Sequence, residues 1–364
     1  MSETLEIYST LSELLPAGLQ DVEEVRILLE GDSVIDWQRL AFRDRRHVDS
    51  FLERLGLRMA DAADARRLFW LHQEALAYLD RHLELPIGVE VRQLTDLRDL
   101  FLMASHTWVG RGGARDDDRV ARDACILLKV MHVIQHATGR ELLHQLPVPM
   151  NELFRRIEHR VFEAIGDMKA SGVKVVGFAA SRKAPESIIT KLLARTDSLA
   201  AEVHDRLRFR IVTQGLDDLF SVLICLVRWV VPFNYVLPGE SRNDLVDLEA
   251  TLAADVRLRD LRALLQPLPG LDDRGLRVNR FSAAGFRTIN FVTDIPVRVH
   301  DLVSSLPEHD ERHGRVVFLL AEFQILDQAT EQANETGDNR HELYKQRQMA
   351  RVVARLTGSA RQDL

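Results

Sequence analysis

Apolar residues recur at helical spacing from about residue 20 to residue 145. They do so in VDSFLERLGL, ARRLFWLHQEALAYLDRHL and ARDACILLKVMHVIQHATGRELL, as in helices that bury one face. Loops are predicted at LELPIG (83–88) and VGRGGARDDD (109–118), where proline, glycine and clustered charges interrupt the pattern. The pattern therefore predicts an all-helical domain over residues 1–148, which the string LPVPMN connects to the rest of the chain.

Strand and helix patterns alternate beyond residue 151. Helices are predicted at ELFRRIEHRVFEAIGDMKASG, PESIITKLLART and DDLFSVLICLVRWVV, and strands at VKVVGFAA, RLRFRIVT, FRTINFVTDIPVRV and RVVFLLAEFQIL. The stretch 238–280 is predicted to be an inserted helical or loop segment, and a last helix is expected from about Asn339 to Leu356. The order predicts an α+β fold in which a mixed β-sheet flanked by helices, over residues 149–364, follows the all-helical domain.

Composition and charge narrow the class of protein. The 364 residues are 46% hydrophobic and carry a formal net charge of −7, so the whole chain lacks the basic footprint of a nucleic-acid or membrane-surface protein. Cys125 and Cys225 fit neither a disulfide framework nor a zinc site. The longest apolar run, Leu219 to Phe233, contains Arg228 and is too short to cross a bilayer. We expect a cytoplasmic protein without a membrane partner.

Two carboxylates stand out in the second half of the chain. Asp205 opens one predicted strand, and Glu322 lies inside another, with Gln324 on the same strand face. A charge within an apolar strand is costly unless it is paired or bound to a metal. Carboxylates without nearby cysteine or paired histidine ligands favour Mg²⁺ over zinc. We therefore predict that Asp205 and Glu322 bind magnesium; the alternative is a pair of strand-edge charges in salt bridges.

A basic cluster precedes these carboxylates. Arg182, Lys183 and Lys191 lie at and just inside the start of a predicted helix, where backbone N–H groups also favour anions. Ser187 is four residues from both lysines, so the three side chains can share one helix face. Phosphoryl or pyrophosphoryl transfer requires cations that bind phosphate oxygens and carboxylates that bind magnesium. The alternative is a solvated helix start.

Five short segments in this order resemble the synthetase domain of RelA/SpoT-type alarmone synthetases, over roughly residues 150–350. The segments are SRKAPESIITK (181–191), HDRLRFRIV (204–212), GFRTIN (285–290), AEFQIL (321–326) and HELYK (341–345). The resemblance implies a nucleotidyltransferase-like fold that moves pyrophosphate from ATP to the ribose 3′-hydroxyl of GDP or GTP.

The resemblance also implies roles for individual residues. The residues expected to bind the ATP phosphates are Arg182, Lys183, Ser187, Lys191 and Arg210. Asp205 and Glu322 are expected to bind the metal and to act in catalysis, with Glu322 as the candidate base. The residues expected to bind the acceptor are Phe286, Arg287, Asn290, Gln324, His341, Tyr344 and Lys345. Full-length relatives often carry an alarmone hydrolase domain with a His-Asp pair, and no such dipeptide occurs before residue 204. The helical half is therefore predicted to be regulatory or scaffolding.

Several positions depart from the family pattern. The family's ATP-binding helix starts with Arg-x-Lys, and its first arginine is absent here or displaced by one residue. Phe286 stands where the family has the tyrosine that stacks on the acceptor base. Asn290 stands in place of a histidine, and Leu326 in place of an arginine. Phe286 can stack on a base but cannot donate a hydrogen bond. The prediction is therefore an ATP-dependent pyrophosphokinase acting on a guanosine nucleotide or a related acceptor. The alternatives are an inactive nucleotide-binding module and pyrophosphate transfer to an RNA 3′ end.

Overall fold

The computed structural model describes most of the chain. The described residues are 19–31, 40–105, 114–182, 186, 189–190, 193, 207–254, 286–303, 311–336, 349–350, 352–354 and 356–357; at 114–118 and 311 only the backbone is described. No helix within these ranges is both long enough and apolar enough to cross a membrane.

The first part of the chain is helical, as its periodicity predicts. Its helices are α1 (Leu19–Glu30), α2 (Arg45–Arg54), α3 (Ala62–His82), α4 (Val89–Arg92), α5 (Arg98–Met103) and α6 (Ala114–Gln145). Asp44 and Asp61 cap the starts of α2 and α3 by accepting hydrogen bonds from backbone N–H groups. The predicted loop at 83–88 separates α3 from α4. Within the predicted loop at 109–118 the prediction is wrong for residues 114–118, which belong to α6.

The second part is a mixed sheet with helices around it, which confirms the α+β class. The strands are β1 (Val175–Arg182), β2 (Leu207–Thr213), β3 (Arg242–Asn243), β4 (Ile289–Arg298) and β5 (Val316–Asp327), and the helices are α7 (Met150–Ala170), α8 (Asp217–Trp229), α9 (Leu248–Ala254), α10 (His300–Val303) and α11 (Gln328–Asn334). The spatial order is β1-β2-β5-β4-β3. β2 and β5 run parallel, and the other neighbours are antiparallel.

One face of the sheet forms the main core. Phe209, Phe291 and Phe323 are fully buried on adjacent strands, and their ring centroids lie 5.1 to 5.2 Å apart from one strand to the next. Helices α7 and α8 pack on this side together with α1. Burying one such ring stabilises the fold by about 2–3 kcal/mol, so this layer fixes the register of the three central strands.

Helix α6 covers one end of the opposite face. Phe318 of β5 is fully buried, and its ring packs 5.0 Å from His136 of α6 and 4.7 Å from Tyr235. His136 Nε2 also lies 2.7 Å from Asp294 Oδ2 of β4. The helical part therefore packs directly on the sheet. The domain boundary near residue 148 stays a prediction.

Candidate functional site

The other end of this face carries polar side chains in register. Glu322 of β5 lies opposite Arg208 of β2 on one side and Val292 of β4 on the other. Directly opposed residues in adjoining strands share a face at close range. Arg208 donates from Nε and Nη2 to Glu322 Oε2 at 3.0 and 2.8 Å. The Asn290 amide, with its nitrogen turned toward β5, donates to Glu322 Oε1 at 2.8 Å.

These contacts resolve the physical problem that Glu322 poses in the sequence. Its side chain is only 12% exposed, so an unpaired carboxylate would be costly there. The structure supplies a guanidinium from Arg208 and an amide from Asn290, and both carboxylate oxygens accept hydrogen bonds. These three hydrogen bonds leave one lone pair on Oε1, where a further donor can bind.

A second polar row crosses four strands beside the first. Gln324 lies between Arg210 of β2 and Asn290 of β4, and Arg242 of β3 lies beyond Asn290. Arg210 Nη2 lies 3.3 Å from Glu331 Oε1 of α11. Its buried Nε has no hydrogen-bond acceptor within the described part of the chain. Among the residues that the structure describes, this guanidinium has one long ionic contact, which a phosphate group can replace.

Phe286 lies at the edge of the second row and is fixed there through Arg242. Arg242 Nη2 donates to the Phe286 carbonyl at 2.8 Å, and its Cζ lies 6.0 Å from the Phe286 ring centroid. The next residue, Arg287, is anchored by Asn334 of α11, which accepts from its N–H at 3.1 Å and donates to its carbonyl at 2.7 Å. The Arg287 guanidinium donates to the Asp244 carbonyl. Phe286 is half-buried, so part of its ring is available for stacking.

Arg182 lies away from this group. It is the last residue of β1 and lies opposite Leu207, whose side chain points into the core. Its guanidinium donates to both Glu158 oxygens at 2.8 and 2.7 Å and to Asn151 Oδ1 at 2.9 Å, all on α7. The bonds to Glu158 raise the pKa of Arg182. The structure therefore brings Arg182 to helix α7 and not to Glu322.

The remaining predicted site residues lie outside the described residues. They are Lys183, Ser187, Lys191, Asp205, His341, Tyr344 and Lys345. Their roles, and the convergence of Asp205 with Glu322, stay predictions. Within the described part of the chain, no group of three or more His, Cys, Asp or Glu residues could hold a metal ion. Because Glu322 is engaged by Arg208 and Asn290, the described residues alone do not fit a magnesium ion.

Sequence reasoning missed four residues that shape this face: Arg208, Arg242, Glu331 and Asn334. The position of Arg208 could have been predicted, because residues two apart on a strand share one face and Arg208 lies two residues before Arg210. The other three are brought in by cross-strand register and by α11. No local signal in the sequence indicates those contacts.

Comparison with solved structures finds alarmone synthetases. Small alarmone synthetase 1 from Bacillus subtilis, in complex with its product pppGpp, is 15% identical; the match covers 58% of this chain and 88% of that one, with a TM-score of 0.32. The similarity is distant. Small alarmone synthetase 2 from Bacillus subtilis is 16% identical over 59% of this chain and 98% of that one, with a TM-score of 0.28.

A GTP pyrophosphokinase family protein from Streptococcus pneumoniae gives a similar result. It is 16% identical over 59% of this chain and 93% of its own, with a TM-score of 0.26. No family model matches the chain, and no curated protein sequence matches it. The chain thus resembles these synthetases over more than half of its length, at identities too low to transfer an activity.

Proposed function

We propose that the polar sheet face around Glu322 is the active site of a pyrophosphokinase-like transferase that takes ATP as donor and a nucleotide as acceptor. The observation that carries the proposal is the clustering of Glu322, Gln324 and Asn290 with Arg208 and Arg210 on one partly exposed sheet face. Guanidinium groups for phosphate oxygens and a carboxylate for a hydroxyl are the groups that such a transfer uses.

The donor phosphates fit best at Arg210. Its guanidinium has one long ionic contact, with Glu331, and an unsatisfied Nε within the described residues. A planar guanidinium binds phosphate oxygens in pairs. In the proposed reaction the acceptor 3′-oxygen forms a bond to the β-phosphorus of ATP, the bond between that phosphorus and the α-phosphate oxygen breaks, and AMP leaves. Positive charge at Arg210 would stabilise the charge that develops on the transferred group.

The acceptor fits along the second row. The exposed part of the Phe286 ring offers a surface for a base, and Asn290 and Gln324 offer hydrogen-bonding groups further along the same row, beyond Arg242. Glu322 would accept a hydrogen bond from the attacking hydroxyl at the remaining lone pair of Oε1, which would orient this hydroxyl, and would then accept its proton. Magnesium dependence, with Asp205 as the second carboxylate, stays a prediction.

A transfer assay tests the proposal. The purified 364-residue chain is incubated with ATP labelled in the β- and γ-phosphates and with GDP or GTP, and the products are separated by thin-layer chromatography. We expect labelled acceptor and AMP in equal amounts. Glu322→Gln should lower the rate by about 100-fold or more, because a positioned base contributes about 10²–10⁴-fold. The control is Glu335→Gln, an exposed carboxylate at the end of α11. An unchanged rate in Glu322→Gln would refute the assignment.

A second candidate function is nucleotide binding without transfer. The occupation of both Glu322 oxygens favours it, since Arg208 holds the carboxylate that a transferase needs. Arg208→Ala separates the two functions. Under the transferase proposal the variant binds ATP and still releases AMP. Calorimetric binding of ATP by both proteins, with no AMP from either, would instead support the binding module.

A further inference from the structure

A cleft rich in arginine lies apart from the Glu322 face. It encloses about 760 Å³ where α1, α2, α7 and α8 meet the last residues of β4. Among its described lining residues, seven are arginines and four are carboxylates. None of the residues assigned to the Glu322 face lines it. The cleft is therefore a separate site with its own surplus of positive charge.

Four of the arginines are held in place by carboxylates. The pairs are Arg54 with Glu24, Arg156 with Asp301, Arg228 with Asp21, and Arg298 with Asp61 and Asp64. Of these carboxylates only Asp21 lines the cleft. The others pair with the arginines but do not line the cleft. Fixed guanidinium groups lose little conformational freedom when an anion binds.

Arg160 extends into the cleft without an ion pair among the described residues. Its guanidinium donates to the carbonyl oxygens of Arg54, Trp229 and Pro296 at 3.1 to 3.4 Å. These bonds are longer than the usual 2.9 Å or so of such contacts. Burial, and secondarily the charge of Arg54, lowers the pKa of Arg160 to about 10, so it remains a cation at neutral pH. A desolvated cation bound only by weak carbonyl contacts gains from an anionic partner.

Two exposed arginines stand on the same cleft. Arg43 makes no ion pair within the described residues, and Arg58 has one contact, at 3.4 Å, with the equally exposed Glu53. An exposed pair of this kind contributes about 0–1 kcal/mol. Arg43 and Arg58 can therefore turn toward a ligand in the cleft, and the half-buried Arg160 also lines its wall.

We propose that this cleft binds a small ligand that carries two or more phosphate groups. Guanidinium groups on separate elements match phosphates at separate positions, and each can bind a phosphate through two parallel hydrogen bonds. A carboxylate carries less charge than a phosphate group and has one oxygen fewer, so a dicarboxylate should bind these groups more weakly than a polyphosphate. The volume lies within the range of about 300–1,000 Å³ that is usual for small-molecule sites, and Trp229 adds an aromatic side chain to the lining.

Calorimetric titration of the full chain with sodium tripolyphosphate tests the proposal. The cleft variant is Arg43→Gln with Arg58→Gln, whose exposed positions should leave the fold intact, as a thermal melt verifies. The control variant is Arg122→Gln with Arg155→Gln, two arginines that are 69% and 68% exposed outside the cleft, each with one carboxylate neighbour. We expect the cleft variant to raise the Kd at least tenfold and the control variant to change it less than twofold.

Two further arms locate the ligand and define its chemistry. Arg210→Gln removes the proposed donor-phosphate contact on the Glu322 face and should still show a tripolyphosphate binding event that the cleft variant weakens. Sodium malonate should bind at least tenfold more weakly than tripolyphosphate. The proposal is overturned if the wild-type chain does not bind tripolyphosphate, if the cleft variant binds as tightly as wild type, if only Arg210→Gln loses binding, or if malonate binds equally well.

Discussion

The sheet face opposite the main core has two ends that differ, although the same strands form both. On β5 the side chains that share this face are Val316, Phe318 and Leu320 at one end, and Glu322 and Gln324 at the other. The apolar end lies against α6, while the polar end is only partly covered by the described residues. The change from apolar to polar side chains along one strand face therefore marks where helix packing stops and the candidate site begins.

The largest expected contrast is in stability. Phe318→Ala removes a fully buried ring between α6 and Tyr235 and should lower the free energy of unfolding by about 3–5 kcal/mol. Gln324→Ala, six residues along the same strand, removes a half-buried polar side chain and should cost less than about 1 kcal/mol. Urea unfolding measures both. Equal losses would show that the two ends do not differ in packing.

The tight approach of α6 gives a second contrast. A Cβ at Gly139 would collide with the Phe318 ring and lie 2.8 Å from the Val316 carbonyl oxygen, whereas a Cβ at Gly166 of α7 meets nothing within 4 Å. Gly139→Ala should therefore destabilise the fold by about 1–3 kcal/mol. Gly166→Ala should stabilise it by about 0.5–1 kcal/mol, because alanine is the better helix former. Stabilisation by both changes would mean that α6 does not pack closely on β5.

The covered end should also be sensitive to acid. Burial, and secondarily the charge of His136, lowers the pKa of His132 to about 3. The His132 side chain is therefore protonated near pH 6.5 in the unfolded chain but stays neutral at that pH in the folded chain. The contribution of neutral His132 to the free energy of unfolding is fully present above pH 6.5 and is lost as the pH falls toward 3. Between pH 7 and pH 5 the loss should be roughly 2 kcal/mol.

Substitution at His132 isolates this effect. His132→Gln should flatten the dependence of the unfolding free energy on pH between pH 7 and pH 5, because it removes the group that titrates. His144→Gln, at an exposed position of α6, serves as the control and should keep the wild-type slope. A steep acid loss that persists in His132→Gln would assign the sensitivity to other groups.

The smallest effect concerns the Arg208–Glu322 pair. The side chain of Arg208 is 36% exposed and that of Glu322 12%, so solvent screens the pair and its coupling should be about 1 kcal/mol. A double-mutant cycle with Arg208→Gln and Glu322→Gln measures it in urea. A coupling near zero would mean that the pair does not hold Glu322 in place.

Much of the fold follows from patterns within single segments. The strands β2, β4 and β5 and the helices α7 and α8 follow from their periodicity, and alternation alone places Glu322 and Gln324 on one face. Helix α11 escaped prediction because its seven residues lack an apolar repeat, and it depends on the Asp327 side chain accepting from Ala329 and Thr330 N–H groups.

The candidate site was less predictable because its contacts join distant segments. Which strand lies beside β5 is set by sheet topology, and the partner is β2, more than 100 residues earlier. Arg182 stood near a predicted helix start, yet β1 extends through it and Glu158 of α7 binds it. Local patterns therefore identified charged residues that matter but not the partners that hold them.

The position of bound ATP tests the proposed active site most directly. A crystal structure of the chain with α,β-methylene ATP, in which the bond to be broken is blocked, would locate the donor. We expect phosphate oxygens within about 3 Å of the Arg210 guanidinium and the rest of the nucleotide on the face that carries Glu322 and Gln324. A nucleotide bound only in the arginine-rich cleft, or with no contact to β2 and β5, would contradict the proposed active site.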